Sequence, residues 1–148
     1  MSSVAPPAVF AFCQYSTALL LSFSLKSTGI DIIEVARIAA SFEKFGARFL
    51  NRILKPAEIA YALSHKKPAP FLAARFAAKE AISKAFGTGI GKYLGWQDME
   101  VGRKESGEPF VILHGGGLQL LTERGGRIVH LSLSHTEHYA AAMAVLEN

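Results

Sequence analysis

The stretch FLAARFAAKEAISKAFGTGIG, residues 71–91, carries the strongest structural signal in this chain. Its apolar residues follow a helical spacing, and four charged residues lie among them: Arg75, Lys79, Glu80 and Lys84. Ionised groups are costly to desolvate unless they are paired or bind something charged, so a carboxylate among three cations indicates a site for metal and phosphate. The alternative is a surface helix with an ordinary Glu80–Lys84 pair at i,i+4 spacing, and the helix alone favours that alternative.

The glycine-rich end of this segment, GTGIG at residues 87–91, looks like a phosphate-cradling loop. Phosphate loops present backbone N–H groups at the start of a helix, whereas this run follows one. We therefore expect the helix to begin near Phe71 and to end at Gly87, with Gly87 as its C-terminal cap.

On the N-terminal side, residues 21–33 (LSFSLKSTGIDII) contain β-branched residues in loose alternation and predict a strand. Residues 34–45 have apolar residues at helical spacing, so the strand should hand over to a helix near Asp31. Two further short helices are predicted at residues 49–54 and 57–65.

Asp31 lies between two isoleucines near the end of the predicted strand, where an aspartate is poorly suited to strand structure. One interpretation is local, with Asp31 as the N-cap of the following helix. The other joins Asp31 to Glu80 as paired oxygen ligands for Mg²⁺, which prefers one or two carboxylates plus substrate phosphates. The residues alone leave both interpretations open.

The C-terminal half predicts a series of strands. They lie at residues 96–103, 108–114 and 127–147, with turns at 106–107, 115–117 and 125–126. The last strand segment forms a hairpin whose bend includes Ser134 and His135, and the residues alone favour a solvent-exposed turn there. The expected fold class is α+β, with a mostly antiparallel sheet packed on helices.

The composition fits one globular domain, with 148 residues of which 50% are hydrophobic and 19% charged. The net charge is +4, and seven cations stand against three anions between Glu34 and Lys67. Such a stretch can attract nucleic acid, an acidic protein or a phosphorylated ligand.

Cys13 is the single cysteine, so we expect a reducing compartment and neither a disulfide nor a thiolate metal site. The histidines show no zinc-motif spacing, and the chain has no GxSxG nucleophile motif.

An apolar, uncharged extension at residues 1–23 precedes a domain at residues 24–148. A secretory signal normally has a basic region before its apolar stretch, whereas the first cation here, Lys26, follows it. A membrane span needs about 20 apolar residues, and polar residues interrupt this stretch. We expect no membrane association and favour the interpretation that the true start lies downstream of Met1, leaving a tail without a native role.

Three segments in order resemble the holo-acyl-carrier-protein synthase family of phosphopantetheinyl transferases. They are GIDIIEVARI at 29–38, RFAAKEAISKAFGTGIG at 75–91 and VHLSLSHTEHYAAA at 129–142. The resemblance implies the fold of that family, a cytoplasmic location and a role in fatty acid biosynthesis. It also implies transfer of 4′-phosphopantetheine from coenzyme A to a serine of an apo-acyl carrier protein, with release of adenosine 3′,5′-bisphosphate.

The resemblance also assigns catalytic roles. It implies that Asp31 and Glu80 bind Mg²⁺, together with the coenzyme A pyrophosphate and water, and that Lys84 contacts the phosphates. Lys84 lies one turn after Glu80, so both side chains can reach the same anion. Lys79 is adjacent to Glu80 and should point elsewhere. One departure from the family is Ser27, which stands where a glycine is common, although Gly29 is retained.

Coenzyme A binding is implied for a further set of residues. Ser134 and His135 match a turn that anchors the 3′-phosphate, which reverses the interpretation of His135 as a plain turn residue. Arg75 belongs to the motif of the central helix, and Phe86 should help to wall the nucleotide cleft.

The family is typically trimeric with active sites between subunits, so the resemblance implies a homotrimer. The resemblance places the family's carrier-docking surface on the helix after the aspartate motif. Arg37, Arg48 and also Arg52 would face the acidic carrier there. Phe45 or Phe49 would supply an apolar contact. Two other functions stay open from sequence. One is a catalytically silent relative that binds coenzyme A or carrier protein. The other is a nucleic-acid-binding module, which is disfavoured because no basic-aromatic stacking pattern is present.

Overall fold

The computed structural model describes residues 24–148. The predictions for the extension and for Cys13 lie outside the described residues. In chain order the elements are β1 (Leu25–Glu34), α1 (Val35–Ile53), α2 (Pro56–Leu63), α3 (Ala69–Ala85), a 3₁₀ turn (Trp96–Asp98), β2 (Met99–Arg103), β3 (Pro109–Leu113), α4 (Gly115–Glu123), β4 (Ile128–His135) and β5 (Tyr139–Glu147).

The strands form two antiparallel sheets within residues 24–148. Strands β1, β5 and β4 lie side by side in that order, and β2 pairs with β3 as a separate hairpin. Across the three-stranded sheet, Asp31 pairs with Ala142, which in turn pairs with Leu133. The predicted α+β class, with a mostly antiparallel sheet against helices, is confirmed.

Helix α3 forms the centre of the core and packs against β1 and β5. Its buried side chains are largely alanines, whose small size lets the helix lie close to the sheet. The approach is closest at Gly29, where an added Cβ would lie 2.0 Å from the Ala81 carbonyl oxygen and 2.6 Å from the Ala85 nitrogen. Only glycine fits there. Ser27, the departure from the family, donates from its hydroxyl to the Ala85 carbonyl and so joins the last turn of α3 to β1.

The strand-to-helix junction lies three residues later than predicted. Asp31 is inside β1, and the residue before α1 is Glu34, whose side chain makes no capping bond. The interpretation of Asp31 as an N-cap is therefore wrong. A strand interior accepts this aspartate because a lysine from α3 pairs with its carboxylate, a contact that joins residues far apart in sequence.

One helix prediction is confirmed and one turn prediction needs correction. Helix α1 is interrupted at Gly46, with φ +53° and ψ −135°, so it consists of two helical segments, as predicted at 34–45 and 49–54. That backbone conformation is one that glycine adopts readily. The glycines predicted as a turn at 115–117 instead begin α4, which spans 9 residues and is too short for a clear helical periodicity.

No helix among residues 24–148 is long and apolar enough to cross a membrane.

Candidate active site

The charged residues of α3 divide between two faces of the helix. Successive residues of an α-helix are rotated by about 100°, so Glu80 and Lys84 lie about 40° apart around the axis. By the same arithmetic Arg75 lies about 140° from Glu80 and close to the direction of Lys79. The helix therefore carries a carboxylate site on one face and an arginine on another.

The carboxylate site joins α3 to β1. Lys84 donates from Nζ to Asp31 Oδ1 at 2.8 Å and to the Ile30 carbonyl oxygen at 3.0 Å. The Lys84 side chain is 49% exposed and that of Asp31 is 15% exposed, so solvent and ligands can reach the pair. The alternative in which Lys84 forms an ordinary surface pair with Glu80 is wrong, because its partner is Asp31 on the neighbouring strand.

Glu80 is the second carboxylate of this site. Burial raises the pKa of Glu80, the negative charge of Asp31 raises it further, and Lys84 opposes both effects. The two carboxylates are thus close enough to repel each other. Such a pair of hard oxygen donors fits Mg²⁺, which keeps several coordination positions for water and phosphate oxygens. Asp31 and Glu80 could hold that ion, and Lys84 adds positive charge beside it.

A cavity of about 330 Å³ lies on the other side of the molecule's central helix. Its walls bring together Arg75, Ser134 and His135, which the resemblance had grouped as coenzyme A contacts, with Tyr61 and Phe71. The His135 ring meets the Phe71 ring edge-on, with 4.9 Å between centroids. Three of the predicted coenzyme A contacts thus line one cavity, whereas Lys84 and Phe86 do not, and the role of all five in binding stays a prediction. Sequence reasoning did not find the aromatic side chains that Tyr61 of α2 and Phe71 of α3 contribute.

Arg75 is buried in the wall of this cavity. Its guanidinium carbon lies 4.1 Å from the Tyr61 ring centroid, and the residue is 5% exposed. Burial lowers the pKa of Arg75, and the negative charge of Glu58 opposes that effect. Among the buried side-chain atoms of residues 24–148, Arg75 Nε alone has no hydrogen-bond partner. A buried donor without a partner is costly, so this group fits an anionic ligand.

Lys79 lies on the same side of α3 as Arg75, but its side chain is buried in the core. Its side chain is 0% exposed, and Nζ donates to Glu58 Oε2 at 2.7 Å and to the carbonyl oxygens of Ile53 at 2.8 Å and Trp96 at 3.1 Å. These three bonds use all three ammonium donors. The prediction that Lys79 points away from Glu80 is confirmed.

Glu58 is a functional residue that no sequence pattern singled out, and it connects several elements of this region. Besides Lys79, it accepts backbone N–H bonds from Lys55 at 2.7 Å and Val101 at 3.0 Å, so one carboxylate joins α2, α3 and β2. The available signal was the Lys55-Pro56-Ala57-Glu58 start of a helix, in which the acid caps the N-terminus. Nothing in that pattern identifies a buried lysine 21 residues away.

Two residues near the end of α3 have different outcomes. Gly87 has φ +72°, and its N–H donates to the Lys84 carbonyl at 2.9 Å, so its predicted role as a C-terminal cap is confirmed. Phe86 was predicted to wall the nucleotide cleft, but it is 1% exposed and packs in the core. Its predicted contact with the nucleotide stays a prediction.

The predicted docking residues lie on α1. Arg37 and Arg48 are exposed, and a groove of about 310 Å³ is lined by Phe45, Phe49 and three neighbouring side chains: Ser41, Arg48 and Arg52. The groove thus combines positive charge with an apolar floor.

The comparisons with known proteins now identify the family. Residues 27–144 match the 4′-phosphopantetheinyl transferase superfamily. The holo-[acyl-carrier-protein] synthase of Koribacter versatilis is 53% identical over 121 residues, which are 82% of this chain and 97% of that protein.

Two solved structures share the fold. The holo-[acyl-carrier-protein] synthase from Neisseria meningitidis has a TM-score of 0.78 at 36% identity, covering 84% of this chain and 100% of that chain. The enzyme from Helicobacter pylori, solved in complex with coenzyme A, has a TM-score of 0.72 at 33% identity, covering 80% and 98%. The chain therefore belongs to the 4′-phosphopantetheinyl transferase superfamily. Within it, the chain belongs with the holo-[acyl-carrier-protein] synthases.

Proposed function

We propose that this protein transfers 4′-phosphopantetheine from coenzyme A to a serine of an acidic acyl carrier protein, in the cytoplasm and in support of fatty acid biosynthesis. The observation that carries the proposal is the arrangement of α3, with two carboxylates and Lys84 on one side and a basic, aromatic cavity on the other. The carrier serine oxygen forms a bond to the phosphorus that bears the pantetheine arm. The bond from that phosphorus to adenosine 3′,5′-bisphosphate breaks, and the serine proton passes to a base.

The carboxylate site would meet the reacting phosphates. Asp31 and Glu80 would hold Mg²⁺, which supplies positive charge against the charge that builds on the pyrophosphate as the bond breaks. Lys84 contributes a second positive charge from the chain itself, held toward the site by its bonds to Asp31 and Ile30. Arg75, Ser134 and His135 would bind the 3′-phosphate in the cavity on the other side.

A homotrimer would join these two half-sites. We define the carboxylate half-site as Asp31, Glu80 and Lys84, and the cavity half-site as Arg75, Ser134 and His135. Within one chain they lie on different sides of α3, so one coenzyme A molecule is better spanned by half-sites of two copies. The outward face of the three-stranded sheet supports association through exposed apolar side chains: Ile30 at 68%, Ile32 at 67%, Tyr139 at 50%, Ile128 at 47% and Met143 at 46%.

The acidic carrier protein would dock on α1. Arg48 and Arg52 line the groove that contains Phe45 and Phe49, and Arg37 is exposed on the same helix. Charges of this kind raise the encounter rate with an acidic partner, and their effect weakens with salt.

The test is to mix the purified protein with an apo-acyl carrier protein, coenzyme A and Mg²⁺ and to weigh the carrier by intact mass spectrometry. We expect the carrier to gain the mass of phosphopantetheine. A carrier whose acceptor serine is replaced by alanine should gain nothing, and neither should the reaction with chelator. Binding of coenzyme A without a mass gain on any acyl carrier protein would instead support the silent-relative interpretation.

A further inference from the structure

A second arginine, Arg103, reaches the same cavity from a different element. It is the last residue of β2, and its Nη1 donates to the Tyr61 hydroxyl. Its guanidinium carbon lies 5.5 Å from the Tyr61 ring centroid, while that of Arg75 lies 4.1 Å from the same centroid. One tyrosine therefore holds two guanidinium groups at a cavity that Ser134 and His135 also line.

The β2–β3 turn fixes the position of Arg103. Gly107 has φ +90°, and an added Cβ there would lie 3.0 Å from Arg103 Nη2, so the turn packs directly against the guanidinium. The turn is closed by the Gly107 N–H, which donates to the Lys104 carbonyl at 2.9 Å, and the Lys104 N–H donates to the Glu108 carbonyl at 2.9 Å. Arg103 is thus held in place by a hairpin turn and by a phenol, even though its side chain is exposed.

The charge at this cavity is not balanced by the carboxylate behind it. Glu58 is the acid whose charge acts on Arg75, and it is already bonded to Lys79 and to two backbone N–H groups. Two guanidinium groups on one ring repel each other, and the buried Arg75 Nε lacks a partner among the described residues. An anion with two negative charges would offset the repulsion between the two guanidinium groups and accept a hydrogen bond from Arg75 Nε.

We propose that Arg103 is a specificity-determining residue that, with Arg75, binds the 3′-phosphate of coenzyme A and distinguishes coenzyme A from its 3′-dephospho form. The inference rests on the proposed function and deepens it. A phosphate monoester carries about −1.5 to −2 charges near pH 7 and offers three acceptor oxygens, so it matches two guanidinium groups. A guanidinium has five N–H donors, and Tyr61 accepts from one of them, so others remain for phosphate.

Tyr61 acts as a positioning residue in this arrangement. Its ring carries Arg75 and its hydroxyl accepts from Arg103, so Tyr61→Phe keeps the ring and removes the hydroxyl that orients Arg103. We expect a smaller loss of discrimination from Tyr61→Phe than from Arg103→Gln.

The experiment uses two nucleotides that differ only in the 3′-phosphate, adenosine 3′,5′-bisphosphate and adenosine 5′-monophosphate. Their binding to the full chain is measured by calorimetry without carrier protein or metal. Arg103→Gln should weaken binding of the bisphosphate by about 10- to 100-fold and leave binding of the monophosphate unchanged, because only the charge-assisted bond is lost. The affinity of Arg103→Lys for the bisphosphate should lie between those of wild type and Arg103→Gln, since lysine retains the charge without the planar fork.

Lys104→Gln is the matched control. It removes the same charge from the next residue of the hairpin, but Lys104 pairs with Glu108 at 2.8 Å and does not line the cavity. It should change neither affinity by more than about twofold.

The inference is overturned if Arg103→Gln weakens both nucleotides equally or neither, if Lys104→Gln causes the same loss, or if the unmodified protein binds both nucleotides alike. Transfer to carrier protein is measured separately with coenzyme A and 3′-dephospho-coenzyme A. A protein that transfers phosphopantetheine but whose Arg103→Gln variant keeps the wild-type preference defeats only this inference. A protein that discriminates the nucleotides through Arg103 but transfers nothing defeats only the proposed function.

Discussion

Two ion pairs on α3 have the same chemistry and nearly the same length, yet they lie in very different surroundings. Lys84 meets Asp31 at 2.8 Å with side chains 49% and 15% exposed, whereas Lys79 meets Glu58 at 2.7 Å with both side chains 0% exposed. The exposed pair leaves donors and acceptors that a ligand can take over. The buried pair is saturated by backbone groups and has nothing left to offer.

The difference shows how one helix can serve stability and chemistry together. Burial makes an ion pair dependent on its partner, because a lone charge cannot be rehydrated in the core. Exposure makes a pair weak but exchangeable. We therefore assign Lys79 and Glu58 to the architecture that fixes α3, and Lys84 and Asp31 to the site that α3 presents.

The largest effect should appear in mixed oligomers. Asp31→Asn removes the carboxylate half-site and His135→Glu places a negative charge in the cavity half-site, so each alone should lower transfer at least about 100-fold. If each active site joins half-sites of two chains, random assembly of equal amounts restores both intact halves at about one site in four. Co-expressed variants should therefore regain about a quarter of wild-type activity in the intact-mass assay.

The control pairs Asp31→Asn with Glu80→Gln. Both substitutions lie in the carboxylate half-site, so every chain in the mixture carries a defective carboxylate half-site. No activity should return. Recovery in this control, or none in the first mixture, would contradict the shared-site arrangement. Sedimentation of the same samples reports whether the variants assemble into oligomers.

The second prediction applies one substitution to both lysines. Lys79→Met leaves the Glu58 carboxylate buried without its cation, and we expect a loss of about 3–5 kcal/mol in the free energy of unfolding. Lys84→Met removes a half-exposed pair and should cost no more than about 1 kcal/mol. Urea denaturation followed by circular dichroism measures both. Equal losses of unfolding free energy in the two variants would show that burial does not make the Lys79–Glu58 pair more important for stability than the Lys84–Asp31 pair.

The sequence predicted the surroundings of the exposed Lys84–Asp31 pair better than those of the buried Lys79–Glu58 pair. Glu80 and Lys84 lie one helical turn apart, so their common face follows from the spacing alone. The residues alone left the role of Asp31 open between an N-cap and a shared Mg²⁺ site, and the family resemblance favoured the shared site. The Lys84–Asp31 contact itself spans 53 residues of sequence. Periodicity carries no information about such distant partners, so the sequence also supported the wrong Glu80–Lys84 pair.

The buried side depended on tertiary packing that no local pattern reveals. Glu58 looks like an ordinary first-turn acid of α2, and only the packing of α2 against α3 and β2 makes it the partner of Lys79. Arg103 is similar, because an arginine at the end of a strand gives no sign that a turn will place it over Tyr61. The fold class was accessible because it depends on local alternation and turns, whereas these contacts depend on where the elements meet.

The third prediction concerns the close approach that lets Lys84 reach Asp31. Gly29→Ala places a methyl group against backbone atoms of α3, so β1 and the helix must separate. We expect a loss of about 1–3 kcal/mol in the free energy of unfolding. Activity should fall as well, because Lys84 moves away from Asp31. Gly91→Ala is the control, since an added Cβ there meets nothing within 4 Å, and it should leave both measurements near wild type.

The smallest effect concerns the stability of the carboxylate half-site without metal. The pKa of Glu80 is raised in the folded chain, mainly by burial and then by Asp31. Between the ordinary pKa and the raised one, the folded chain holds a proton that the unfolded chain has released. Stability therefore falls as the pH rises through that window, and the full penalty is present above it. Glu80→Gln should remove the penalty, so in EDTA at neutral pH the variant should unfold a few degrees above wild type.

That gain should disappear at about pH 4, where the carboxyl is largely protonated in both folded and unfolded chains. Glu43→Gln, an exposed acid on α1, provides the matched loss of charge and should show no such pH dependence. Added Mg²⁺ should raise the melting temperature of wild type more than that of Glu80→Gln, because a bound cation stabilises only a chain that binds it. A Glu80→Gln protein that is less stable than wild type at neutral pH in EDTA would show that Glu80 supports the fold. In that case the exposed and buried charges of α3 would not divide between function and stability as the two ion pairs indicate.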